Sequence, residues 1–300
     1  MTDTEYICLD TEFVNNVSII ELSVFSISGR EIYHRLFRPS RQLKWTAPPD
    51  KLKITPEMVA DKPTFGSMLP EVQPIFDKAR FIIGYAIDND IKMLEKEGVA
   101  GLLNIRPIEV RELYWLVKGR EDGVDLYAVP NLLSCCNELG ITFDEAHAHF
   151  ASSDTLATLR CFHELMRRLC QTHGVNYNDR QPDEAMALFD REFEIAKKEY
   201  MREQAHGFLS VVRTEKGFKI KSSRFRPETP VEVCVEVADR SLAEYDVMKR
   251  FAKREIQGLR GWYRLNASDI DFVRSYKNVY REGSAEMLRK LMQFKGRLSF

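Results

Sequence analysis

Three β-like runs follow one another in the first 37 residues, over 6–10, 19–27 and 31–37, with only the Asn15-Asn16 and Ser28-Gly29 turns as clear punctuation between them. Runs so arranged read as an antiparallel meander. The pattern then changes. A polar, proline-bearing connection over 39–56 leads to a helical segment over 68–78, which Pro70 and Pro74 weaken. Phe81-Ile82-Ile83-Gly84 reads as a buried strand, and residues 88–98 as a helix with an acid at its N-cap and a glycine at its stop. A further strand is expected over 105–110. Helices follow over 130–139, opened by Pro130 and closed by Gly140, and over 151–170. A meander followed by strands that alternate with helices predicts an α/β fold.

Turn formers gather at 172–182, and a long charged helix is expected over 183–206. Beyond it lie β-like runs at 208–213, 218–221 and 231–237, then helices over 241–257, 268–280 and 284–293. Charge changes with this boundary. Residues 1–175 hold 19 Lys/Arg against 25 Asp/Glu, a net −6, and residues 176–300 hold 25 against 20, a net +5. The second part could therefore meet a polyanion, although an ordinary solvated helix surface gives the same count. The expected division is a first domain over 1–175, a helical linker over 176–206 and a smaller basic α+β domain over 207–300.

With 44% hydrophobic residues in 300, the chain can bury a sizeable core. No apolar run approaches the roughly 18 residues that a membrane helix needs. The start, MTDTEYICLD, has no basic region before an apolar stretch and does not read as a signal peptide. Six cysteines show neither CxxC nor zinc spacing, so reduced thiols in a cytoplasmic setting are expected.

Chemistry is concentrated at three places. Asp10 and Glu12 close the apolar run Tyr6-Ile7-Cys8-Leu9 with no Lys or Arg nearby. On a strand, positions two apart face the same way, so these carboxylates project together and call for a positive compensator. A divalent cation is one, because hard cations take carboxylate oxygens. Two acids in a solvated turn are the plain alternative. The second place, Asp88 and Asp90 in GYAIDNDIKML, lies where a buried strand passes into a helix, and either acid also suits a helix N-terminus on electrostatic grounds. The third is AHAHFASSDTLATL, where Asp154 opens a helix and His149 sits in the loop before it, with His147 a rival in the same loop.

In the order DxE, D, HxAxxD these segments resemble the DEDD superfamily of 3′–5′ exonucleases, in its histidine group. The motifs stand here as Asp10-Thr11-Glu12, Asp90 within AIDND, and His149-Phe150-Ala151-Ser152-Ser153-Asp154. The likeness covers about residues 5–170. It is nearest in kind to the exonuclease X and proofreading-subunit branch, whose segment after the third strand ITPEMVADKPTF resembles. LDTEFV also resembles the start of ribonuclease D, of the tyrosine group. That group's tyrosine position is Phe150 here, while His149 fits the histidine group. The family's usual HN pair before the second aspartate is replaced by Tyr85-Ala86.

The resemblance implies a ribonuclease H-like mixed sheet flanked by helices. It implies hydrolysis of phosphodiester bonds from a free 3′ end, with two Mg2+ or Mn2+ per active site held by Asp10, Glu12, Asp90 and Asp154. It makes His149 the general base and places Thr11, Phe13 and Tyr85 beside the terminal nucleotide. Nucleoside 5′-monophosphates would be the products, with DNA favoured over RNA, and a homodimer is expected because several relatives are dimers. The competing expectation is a catalytically silent nucleic-acid-binding or interaction protein on the same fold. Residues 207–275 weakly resemble a degenerate GIY-YIG-like domain. Glu244 and Phe251 precede a GWYRL run, but FLSVV and FKIKS lack the signature tyrosines and glycine. Arg224, Arg226, Lys249, Arg250, Lys253, Arg254 and Arg260 are its candidate phosphate contacts.

Overall fold

A computed structural model of the chain describes residues 4–41, 43–46, 52–143, 148–259 and 261–297, with side chains to residue 291. His147 and Arg260 lie outside the described residues. The protein divides into two compact units, Met1–Phe193 and Glu194–Phe300.

In the first unit, β1 (Tyr6–Val14), β2 (Ser18–Ser26) and β3 (Glu31–Leu36) form the expected meander. There follow α1 (Pro56–Val59), α2 (Phe65–Phe76), β4 (Phe81–Gly84), α3 (Asp88–Lys96), β5 (Arg106–Glu109), α4 (Val110–Tyr114), α5 (Leu132–Leu139) and α6 (Ala151–Thr172). The sheet order is β3-β2-β1-β4-β5. β1 pairs antiparallel with β2 and parallel with β4, so the expected mixed sheet is present and β1 lies at its switch point. Ile7, Leu9, Ile19, Leu22 and Val24 of the sheet form one core with Phe65, Val72 and Phe76 of α2 and Leu94 of α3. α6 packs against β1, β2 and β4, and its Thr155 carbonyl accepts from the Cys8 thiol at 3.5 Å.

Two local outcomes, one expected helix that forms and one strand that runs longer than expected, have physical causes. α2 forms although Pro70 and Pro74 lie inside it. An interior proline costs about 3 kcal/mol in an exposed helix, but full burial of Phe65, Val72 and Phe76 returns about 1.5–3 kcal/mol each. β1 does not stop at its acids. It continues to Val14, with Asp10 opposite Ser23 and Glu12 opposite Glu21, whereas its pairing with β4 ends at Cys8 and Ile83. The far half of β1 therefore has one edge free for something other than a strand.

α7 (Asp183–Ala205) crosses the division between the units. In the first unit its Phe193 ring meets Trp115 edge-on and its Asp190 pairs with Arg106.

The second unit has a four-stranded antiparallel sheet in the order β8-β6-β7-β9, from β6 (Gly207–Thr214), β7 (Gly217–Ser223), β8 (Val233–Val237) and β9 (Trp262–Tyr263). Its helices are α8 (Arg240–Arg250), α9 (Ala267–Arg274) and α10 (Ser284–Arg297). The helix expected to run to residue 257 ends at Arg250. Phe251 turns into the core, and the chain returns to supply the short strand β9, which sequence patterning does not announce. Leu209, Val211, Ile220, Val247, Tyr263 and Val273 are central to this core. No helix among the described residues is long and apolar enough to cross a membrane, and all six cysteines are free thiols.

Candidate active site

The predicted residues gather along the half of β1 that β4 does not pair. Because β4 stops short, the Thr11 N–H is left without a strand partner on that side. It donates instead to Asp90 Oδ1 at 3.0 Å, and the Thr11 hydroxyl donates to the same oxygen at 2.6 Å. Asp90 is buried in the first turn of α3, so these bonds fix it beside the tip of β1. From the other face, α6 brings Asp154. The ligating atoms of Glu12, His149 and Asp154 all lie within 4.8 Å of one another. The turn before α6 is compact: His149 takes the left-handed conformation at φ 64°, its backbone N–H donates to the Asp154 carboxyl, and the Asp154 N–H reaches the Phe150 carbonyl at 3.1 Å. His149 is exposed and Asp154 is half-buried.

Electrostatics sets this pocket apart. Burial raises the Asp10 carboxyl well above its usual range, and Asp90, Glu12, Asp154 and Glu21 add to the effect. Burial, then Asp154, Glu21 and Asp90, pushes Glu12 up to about 9. Asp154 rises to about 6, from burial opposed by its bond to His149 and aided by Glu21. Asp90 rises to about 7 from burial, against the lowering bonds from Thr11. Asp154 Oδ1 is a buried oxygen with no hydrogen-bond partner. Four mutually repelling carboxylates, one with an orphaned oxygen, and an adjacent imidazole are the donor set that a hard divalent cation fits.

The family comparison settles the class. A family model described as RNase_T, Exonuclease, matches residues 1–162. The chain belongs to this exonuclease family. A solved structure of exonuclease X in complex with 5′ overhanging duplex DNA is also similar, at 17% identity and a TM-score of 0.39, covering 57% of this chain and 94% of that chain. The search of curated proteins gives no match.

Within this exonuclease chain the remaining predicted residues are placed as follows. Thr11 is buried and bonded to Asp90 rather than open. Phe13 is partly buried and packs on the sheet core. Tyr85 is half-buried, and its hydroxyl donates to the Pro130 carbonyl. Ala86, at the place of the family's usual asparagine, is in the left-handed region at φ 59°.

Asp88 does not cap α3. Ile87 occupies that position without a side-chain bond, and Glu109 of β5 receives the Ala86 and Ile87 N–H groups at 2.9 and 3.2 Å. Sequence reasoning misses Glu109, and it misses Glu21, which is 1% exposed and accepts the Ala151 N–H at 2.8 Å. For Glu21 a signal exists: it is the one charged residue in an otherwise uncharged run, SIIELSVFS.

In the second unit, Glu244 accepts from Ser222. Four of its candidate phosphate contacts have partners: Arg254 pairs with Asp269 at 2.6 Å, and Arg250, Arg224 and Lys249 lie 4.0, 5.6 and 5.7 Å from the ring centres of Phe272, Phe225 and Tyr245.

Proposed function

We propose that this chain is a metal-dependent 3′–5′ exonuclease that removes nucleoside 5′-monophosphates from a free 3′ end. The clustering of Glu12, His149 and Asp154 around an orphaned carboxylate oxygen, beside Asp10 and Asp90, carries this reading. Asp10, Glu12, Asp90 and Asp154 would hold two Mg2+ or Mn2+. Such ions, when bound, supply positive charge to the scissile phosphate and acidify a water. The protein's own residues do the rest. Thr11 keeps Asp90 facing β1. His149, exposed on a tight turn, can approach the attacking water and accept its proton. Phe13 and Tyr85 flank the terminal nucleotide, Phe13 by stacking.

The preference for DNA rests on the likeness of ITPEMVADKPTF to the proofreading branch. Residues 1–175 would form the nuclease domain, 176–206 a linker, and 207–300 an accessory module that adds phosphate contacts. A cytoplasmic setting agrees with six free thiols, and a homodimer belongs to the same reading. The test is a 5′-labelled oligonucleotide, as DNA and as RNA, incubated with Mg2+. A ladder shortening from the 3′ end, absent with EDTA and in Asp10→Ala, supports the enzyme. No ladder from folded protein on either substrate supports a silent binder instead.

A further inference from the structure

α6 starts without a cap of its own. Phe150 stands at the N-cap, where Ser, Thr, Asp or Asn would ordinarily take up a free N–H, and its side chain makes no cap hydrogen bond. The Ala151 N–H is instead taken by Glu21 Oε2 at 2.8 Å, from the middle of β2. Glu21 is fully buried and stands directly opposite Glu12 in the sheet register. A fifth carboxylate beside four others is costly unless donors surround it. Glu21 has two: the N-terminus of a 22-residue helix, whose dipole favours an anion, and His34 of β3, with Nε2 at 2.7 Å from Oε1.

Ala151 lies between His149 and Asp154 in the chain. The bonds inside this turn, from the His149 N–H to the Asp154 carboxyl and from the Asp154 N–H to the Phe150 carbonyl, keep the segment compact, but they do not tie it to the sheet. Packing of α6 on β1, β2 and β4 holds the helix body, and the Glu21 bond ties its first residue, next to the turn, to β2, the strand paired with β1 through the site acids. We propose that Glu21 is a positioning residue that sets His149 and Asp154 against Asp10 and Glu12, with His34 fixing the orientation of its carboxylate. This rests on the nuclease reading for its consequence, though not for its geometry. Glu21 need touch neither substrate nor cation; it acts through the backbone of Ala151.

The test uses the full chain carrying Glu21→Ala, Glu21→Gln and His34→Ala, with two readouts. In amide hydrogen exchange, Glu21→Ala should speed exchange at residues 151–154 by about tenfold or more while β1 and β4 keep wild-type protection. Glu21→Gln, which keeps an acceptor for the Ala151 N–H, should restore most of that protection. His34→Ala, at a partly exposed position, should shift it in the same direction by less, and it decides the matter if Glu21→Ala fails to fold. In single-turnover cleavage with Mg2+, Glu21→Ala should lower the rate about 10- to 100-fold with the KM for oligonucleotide little changed, because misplacing a reacting group costs rate rather than binding. Wild-type exchange at 151–154 in both Glu21→Ala and His34→Ala overturns the proposal, as does a fully retained rate in Glu21→Ala. If the wild-type protein cleaves nothing, the nuclease reading fails, and the exchange experiment still decides whether Glu21 tethers α6.

Discussion

Acids are buried in both units, and three acids of the first unit's site are treated in the opposite way to those of the second unit. In the second unit Asp239 accepts the Leu242 and Arg281 N–H groups at 2.9 and 3.0 Å. Asp269 accepts the Asn266 N–H at 2.9 Å and meets the Arg254 guanidinium at 2.6 Å. Each of these carboxylates has donors arranged around it, as burial requires. In the first unit Asp10, Glu12 and Asp154 have other acids as their electrostatic neighbours, and no Lys or Arg pairs with them among the described residues. A buried acid that is fully satisfied reports on how the chain folds. A cluster kept away from every protein cation reports on what the chain binds.

This contrast breaks most sharply under mutation. Asp10→Ala or Asp154→Asn should lower cleavage about a thousandfold or more, measured on a labelled oligonucleotide, while both proteins stay folded. His149→Ala should cost about 10²- to 10⁴-fold, the ordinary value of a general base.

Stability should follow the same division. The site carboxyls have folded pKa values raised above their ordinary 3.8 and 4.5, to about 6 for Asp154, 7 for Asp90 and 9 for Glu12. A raised carboxyl contributes stability while it stays protonated, and that contribution is lost as pH climbs through the folded value. In EDTA the melting temperature should therefore fall between about pH 4 and 9, and Asp154→Asn should flatten the lower part of that fall. Mn2+ should reverse it at neutral pH, by about 2.7 kcal/mol when the free ion is a hundred times its dissociation constant. Asp269→Asn should behave oppositely, costing about 1–2 kcal/mol by chemical denaturation because Arg254 is half exposed, with cleavage unchanged. The smallest effect belongs to Lys249→Ala and Lys253→Ala, within about 0.5 kcal/mol of stability. If the basic face meets nucleic acid, each should shallow the salt dependence of binding by about one counterion.

The nuclease unit was legible where its signals are local. The meander, the strand before Asp88 and the order Asp10, Glu12, Asp90, His149, Asp154 can all be read along the chain, because strand alternation and helix starts leave short-range patterns. Glu21 and Glu109 could not be assigned that way. Each captures backbone N–H groups at a helix start distant in the chain, Glu21 at Ala151 and Glu109 at Ala86 and Ile87 just before α3. Only the sheet register brings them there. Thr11 shows the same limit: its bond to Asp90 exists because the pairing of β1 with β4 ends at Cys8, short of Thr11, which is a fact of topology. In the second unit, propensity carried α8 through Phe251, and long-range packing of that ring stopped it.

The central claim is that the uncompensated carboxylates of the first unit bind a pair of divalent cations. Crystals of the protein soaked in Mn2+ and measured at the manganese absorption edge test it most directly. The account predicts two anomalous peaks among Asp10, Glu12, Asp90 and Asp154, both lost in Asp10→Ala. Peaks elsewhere, or none at a concentration that supports cleavage, would contradict it.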